Sequence, residues 1–393
     1  MVLGAGPFQT PAIRKAAALG CQVITVDYLP DNIGHRFGHQ SINCSTVDRD
    51  GVLAAARDLG IDGICTFSSD VAVPTVAHVC TALGLPGISP AAAATMTAKH
   101  RFRAFLNNAG FACPDFLSAS RFSALLPDLH RLRPPVVCKP VDASGSRGIT
   151  KLDDLEPAAV EQAFLRAQRC SRTSTVCVES FVPGTEVGGD ALLVDGNMVF
   201  AAITCKHMDG FVVRGHSLPA ALSSHDQARV SAHLEEVCAA LGYRSGPLNF
   251  DVIVGPDAVT ILEMSGRNGG NGIAGVIERA TGFDVETGAI HLALGERPHL
   301  PARMEECRGA GSLVFGSPTG GTLVHLCSAA ELRNHVPEVF AVTLVKQPGD
   351  RVEPFEHNGN LVGFVLFDCP HADEYERLTE KIHATLALHV DPD

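Results

Sequence analysis

Asp251 and Glu263 are the carboxylates of this 393-residue chain best arranged to hold a cation. They lie in two apolar runs, Leu248 to Val254 and Ala258 to Met264, on either side of a Gly-Pro-Asp turn, at a spacing of 263 − 251 = 12. Apolar runs about such a turn read as a β-hairpin, and folding it at Pro256-Asp257 is expected to set the acids opposite one another. Two carboxylates held close and partly dry repel, so the pair favours a shared proton or a divalent cation. Ser265, Arg267 and a glycine-rich run to Gly272 follow directly.

Further upstream, Lys139 sits in the short apolar strand Pro135 to Pro140. A lysine there is uncommon unless something anionic meets it. The next loop holds Ser144, Gly145, Ser146 and Gly148, small residues whose backbone N–H groups can fold over phosphates. No Gly-Lys-Ser/Thr closes it, so it is not a Walker loop.

Taken in order, these landmarks resemble the ATP-grasp superfamily over about residues 1–298. The resemblance implies ATP and Mg²⁺, with Asp251, Glu263 and Ser265 as metal ligands; the family usually has Asn where this chain has Ser265. It implies that Lys99 and Lys139 neutralise phosphate charge beneath the Ser144 to Gly148 loop. Glu179, Phe181 and Val182 coincide with the hinge that meets adenine, and Glu186 with a ribose-binding acid. Arg267 would steady an acyl phosphate. The Gly215-His216 to Pro219 segment is similar to the amino-acid-ligase branch, which implies that Lys206, Arg214 and His216 bind the second substrate and orient its amine. The implied activity joins a small carboxylate to an amine, giving ADP and phosphate.

The elements that must position these groups read as mixed α/β and α+β. Residues 1–95 open with strand, Gly4-Ala5-Gly6 turn, a helix entered at Thr10-Pro11 and closed by Gly20, and a strand ending at Asp27. Proline in the first turn and glycine after the last are the usual asymmetry of helix ends. This is a Rossmann-like, preATP-grasp opening. A second unit ends its strand at Ser68, Ser69 and Asp70, where ligands bind in such sheets. The resemblance implies a two-lobed ATP-grasp region over residues 96–298, with a small lid lobe at about 115–182. An amphipathic helix is expected over 152–170 and an apolar helical stripe over 226–241. Residues 299–393 read as an α+β capping domain of short strands and one helix near 371–387.

Composition narrows the partners. A net charge of −12 without a long Lys/Arg run gives little support to nucleic acid or an anionic membrane. Thirteen cysteines, with no C-x-x-C, argue for a reducing compartment. No apolar run approaches membrane-spanning length, so a cytoplasmic protein is expected, and a homodimer, as is common among such ligases. Two other classes stay open. Gly4-Ala5-Gly6 with Asp27 suggests a nicotinamide-dependent oxidoreductase, although Gln9 stands where a third glycine would be. A catalytically silent ATP-binding accessory protein would keep the fold without turnover.

Overall fold

The computed structural model describes residues 1–300 and 308–392, so part of the expected C-terminal domain lies outside the described residues. Its N-terminal sheet is parallel, with strands Gln40–Asn43, Ile24–Asp27, Val2–Leu3 and Cys65–Thr66 in that order. The helix Thr10–Ala18 starts with proline in its first turn, and Gly20 takes the left-handed conformation just beyond it, φ +85°. The Gln40–Asn43 strand escapes a sequence reading because it is a largely exposed polar edge.

The small lobe is a four-stranded antiparallel sheet, ordered Phe116–Ala119, Val176–Ser180, Val136–Pro140 and Thr150–Leu152. The helix Pro157–Cys170 covers it, burying Val160, Ala163, Phe164 and Ala167 against Val136, Cys138 and Val178. The first residues of the expected 152–170 helix therefore do otherwise: Leu152 pairs with Val136 as strand, and Pro157 starts the helix.

The large sheet has eight strands. Val259–Ser265, Gly246–Val254, Thr185–Val194, Asn197–Asp209 and Val212–Leu218 run in that order, then Ala310–Phe315, Gly363–Asp368 and Val339–Leu344. Side chains alternate between faces along a strand. Ala191 and Leu193 accordingly pack with Val230 and Leu234 of the helix Ser224–Leu241, while Leu192 packs with Val276 and Ile277 of the helix Ile273–Thr281. The C-terminal part, expected as an α+β cap of short strands, does not stand on a sheet of its own alone: three of its strands extend the same sheet. It also holds a second helix, Ala329–His335, begun by a capping box at Ser328 and Glu331.

Candidate active site

The two acids do face each other: Asp251 and Glu263 are partners in the antiparallel register. The turn alone does not achieve this. From Val254 opposite Val259 to Val252 opposite Ile261 the paired numbers sum to 513, which would set Asp251 opposite Leu262. The register shifts between Asp251 and Val252, so Leu262 is the extra residue of a bulge and Glu263 moves into place. A one-residue slip in a strand turns a side chain to the opposite face, so the bulge is what lets both carboxylates enter one site.

Arg103 holds that bulge. Its Nη1 and Nη2 donate to the carbonyls of Ile261 and Leu262, at 3.3 and 3.0 Å. Its Nε donates to Glu179 at 3.0 Å, and Lys139 binds the other oxygen of that carboxylate. All three are buried, Arg103 completely. Burial works to raise Glu179, but Arg103 and Lys139 overcome it and hold its pKa near 2. Glu179 is therefore the anion that meets Lys139 inside the strand, rather than a group presented to a base. Phe181 donates its amide to Pro135 at 2.8 Å and Ser180 donates its amide to Asp115 at 2.9 Å, so neither amide is open along this edge.

One cavity of about 460 Å³ collects most of the expected residues: Lys99, Lys139, the 143–147 loop, Glu179 to Val182, Glu186, Lys206, His216, Asp251, Glu263 and Arg267. Lys99 donates to the Ala143 carbonyl at 2.9 Å and approaches Glu263 at 3.4 Å, so it bridges the loop and the acid pair. In the loop Gly145, Ser146 and Gly148 all have positive φ, between +67° and +71°. Ser146 donates to Phe211 at 2.5 Å, and Gly145 accepts from the Asn358 amide at 3.3 Å. The loop therefore rests on the large sheet's hairpin and on the C-terminal third.

Glu186 and Asp251 both bind Lys206, at 2.6 and 2.9 Å. Burial acts to lower the Lys206 pKa, but those carboxylates more than offset it and hold the ammonium firmly charged. The expected ribose acid is thus turned toward a lysine. His216 is 2% exposed, and burial, reinforced by Lys206, pushes it down to about 3. The Thr204 hydroxyl gives its proton to the Gly188 carbonyl at 3.0 Å, so the 2.9 Å contact with His216 Nδ1 is donated by the ring. Nε2 is left as an acceptor.

Arg214 lies elsewhere. Gly215 pairs with His207 and Val213 with Met208, so Arg214 is the unpaired residue of a second bulge. It reaches Asp209 at 2.7 Å and stacks over Phe355, and it does not line the cavity. Counting alternately from His216 places it on the wrong face for this reason.

Arg267 is fixed from three sides: by Asp70, by Asn249 Oδ1 at 2.8 Å and by the Asn268 carbonyl at 3.0 Å. Asn249 in turn donates to Asp190 at 2.9 Å, and Asp190 receives the Gly269 amide at 2.8 Å. Burial lifts Asp190 to about 6 despite those bonds. The network joins the N-terminal sheet to the glycine run, as does the bridge between Phe67 and Asn268. Asp190 and Asn249 were not singled out from sequence; a carboxylate between paired glycines and an apolar run, Gly188-Gly189-Asp190-Ala191-Leu192, is the signal that marks the first. Ser265 is buried two register steps from the acids, opposite Asn249.

Two carboxylates cannot complete an Mg²⁺ shell, and among the described residues no group of three or more His, Cys, Asp or Glu is placed to hold a metal. Mg²⁺ takes one or two carboxylates together with substrate phosphates and water, so the donor set fits a nucleotide-bound ion. The dinucleotide reading fares differently. Asp27 accepts the Ala5 amide at 2.8 Å and the Leu29 amide at 3.0 Å, and Gly6 donates to Gln9 at 2.9 Å. The turn satisfies itself, as a structural turn does.

Residues 132–275 match the family model described as the ATP-grasp domain, and residues 314–391 match L-amino acid ligase C-terminal domain 2. The chain thus carries an ATP-grasp domain followed by an L-amino acid ligase C-terminal domain. It is 26% identical over 363 residues to the uncharacterized protein y4rH of Sinorhizobium fredii, covering 88% of this chain and 73% of that one. To carnosine synthase 1 of Gallus gallus it is 27% identical over 268 residues, 63% of this chain but 29% of the relative's length. The L-amino acid ligase of Bacillus licheniformis shares the fold, with a TM-score of 0.82 at 21% identity over 100% of this chain and 98% of that one. Nothing in these likenesses supports a nicotinamide-dependent oxidoreductase. The twelve cysteines among the described residues are free, and no helix there is long and apolar enough to cross a membrane.

Proposed function

We propose that the chain is an ATP-dependent ligase that joins a small carboxylate to an amine through an acyl phosphate, releasing ADP and phosphate, with Mg²⁺ as the metal. The observation that carries this reading is the meeting, in one cavity, of facing acids, two lysines, a loop of small residues and a fixed arginine. Phosphoryl transfer needs alignment and charge stabilisation more than covalent help from the protein, and the cavity is built of such groups. The match to an L-amino acid ligase C-terminal domain supports an amino acid as one substrate.

In this reading Lys99 and Lys139 meet phosphate charge beneath the Ser144 to Gly148 loop, and adenine lies against the hinge from Ser180 to Val182. Asp251 and Glu263, with Ser265 beside them, would hold Mg²⁺, which supplies charge neutralisation across the phosphates. Arg267, immobilised by Asp70, aims its remaining N–H bonds at the carboxylate and then at the acyl phosphate. His216 Nε2 accepts an N–H from the incoming amine. With a pKa near 3 it orients that amine and is too weak a base to keep its proton. The free cysteines support a cytoplasmic setting, and a homodimer is the assembly we expect.

The test is ADP and phosphate release by the full chain against pairs of L-amino acids, with Glu263→Gln and Arg267→Ala as controls. Amide formation that both substitutions abolish is the expected result. Turnover undiminished in both variants would remove the proposed site, and ATP binding without turnover on any pair would leave the accessory-protein reading.

A further inference from the structure

Lys206 belongs to the Asn197–Asp209 strand, yet its ammonium lies against Asp251, two strands away across Thr185–Val194. Neighbouring strands stand about 4.8 Å apart, so the side chain and Asp251 together bridge roughly 10 Å. They can do so because residue 188, directly opposite Asp251 in the register, is glycine. A Cβ there would lie 2.7 Å from Asp251 Oδ1. Glu186, two residues along the same strand, supplies the second anchor at 2.6 Å, and the Lys206 side chain is 8% exposed. The lysine is therefore held by carboxylates on two sides in a slot the backbone leaves open for it.

We propose that Lys206 is a built-in cation at the acid pair, standing on the Asp251 side where a second divalent ion would otherwise enter, so that the loaded site takes a single divalent ion, on the Glu263 side. The inference rests on the reading of this cavity as a metal–nucleotide site and goes beyond it in fixing the number of ions. The ammonium already neutralises Asp251 on the side toward Glu186. A divalent ion brought to that side would meet a like charge at contact distance and would have to expel the lysine from both partners. Glu263 is differently placed: its cationic neighbour, Lys99, stands off at 3.4 Å and is shared with the Ala143 carbonyl.

The experiment counts Mn²⁺ bound per chain in the presence of saturating β,γ-imido-ATP, by electron paramagnetic resonance of free Mn²⁺, for the wild type and Lys206→Met. One ion in the wild type and two in the variant are expected. Two ions in the wild type overturn the proposal whatever the variant does, so it stays exposed even if Lys206→Met does not fold. A folded variant, judged by its thermal melt, that still binds one ion at wild-type affinity overturns it as well. Absence of any Mn²⁺–nucleotide binding to the wild type would instead sink the ligase reading on which it stands.

Discussion

Asp70 accepts the Nε hydrogen of Arg267 at 2.8 Å, and the same carboxylate oxygen lies 2.6 Å from Nη2, across 197 residues of chain. Both are buried. Burial alone would raise Asp70, but the guanidinium beside it holds the carboxyl below its usual range. The arginine proposed to hold the reacting carboxylate is thus positioned by the Asp70–Ala72 turn that follows the N-terminal strand Cys65–Thr66.

Asp70→Ala leaves Arg267 charged and unmatched in a closed space, a loss of about 3–5 kcal/mol for breaking a buried pair. The midpoint of a urea melt should fall accordingly and phosphate release with it. Arg267→Lys, which keeps the charge but loses the planar fork, should melt closer to the wild type and still release little phosphate. An Asp70→Ala protein of unchanged stability would show that the pair holds nothing.

The bulge at Leu262 gives a second expectation. Arg103→Met removes the donors to the Ile261 and Leu262 carbonyls and leaves the buried Glu179 with Lys139 alone as its cationic partner. Destabilisation by about 3–5 kcal/mol is expected, together with weaker binding of Mn²⁺–nucleotide, because Glu263 loses its register opposite Asp251. Calorimetry of nucleotide binding on the folded variant checks it; unaltered affinity would mean the hairpin sets its own register.

Glu179 carries a pH signature. Its folded pKa is about 2 against the ordinary 4.5 of a glutamate, so the folded state prefers the ionised form. The stability it contributes is fully present above pH 4.5 and disappears as pH falls toward 2. Melting temperatures of wild type and Glu179→Gln should differ most above pH 5 and converge in acid. A gap that widens on acidification would contradict the assignment.

Gly188→Ala should separate site from fold. The added carbon falls 2.7 Å from Asp251 Oδ1 and 3.2 Å from the Phe250 carbonyl. Overpacking of this kind costs about 1–3 kcal/mol, and the carboxylate must swing aside. Nucleotide-dependent Mn²⁺ affinity is expected to drop by about tenfold, a change of roughly 1.4 kcal/mol, in a protein that still melts cooperatively.

What was legible in the chain was local. Proline and glycine at the ends of Thr10–Ala18, the apolar runs around Asp251 and Glu263, and a lysine within Val136–Pro140 each state their meaning within a few residues. Pairing at a distance was not. Glu179 reads as a hinge residue until Arg103 is seen against it, and Asp70 reads as a substrate contact until Arg267 arrives from the far end of the sheet. Both departures from simple alternation come from bulges. At Leu262 the extra residue brings Glu263 to its partner; at Arg214 it carries an expected ligand away. A period-two count has no means of detecting either, since the inserted residue is set by what its freed carbonyl or side chain meets in three dimensions.

The seam at Ser217 opposite Gly311 and Leu218 opposite Ala310 joins the final third to the plate that bears the acids. Severing the chain near 298 would strip the Val212–Leu218 strand of its neighbour and leave a raw row of amides and carbonyls, a template on which other copies could stack. Chimeras between relatives that trade this third as a detachable cassette would have to rebuild that join strand by strand, and whatever specificity the His216 strand confers travels with the strands docked beside it.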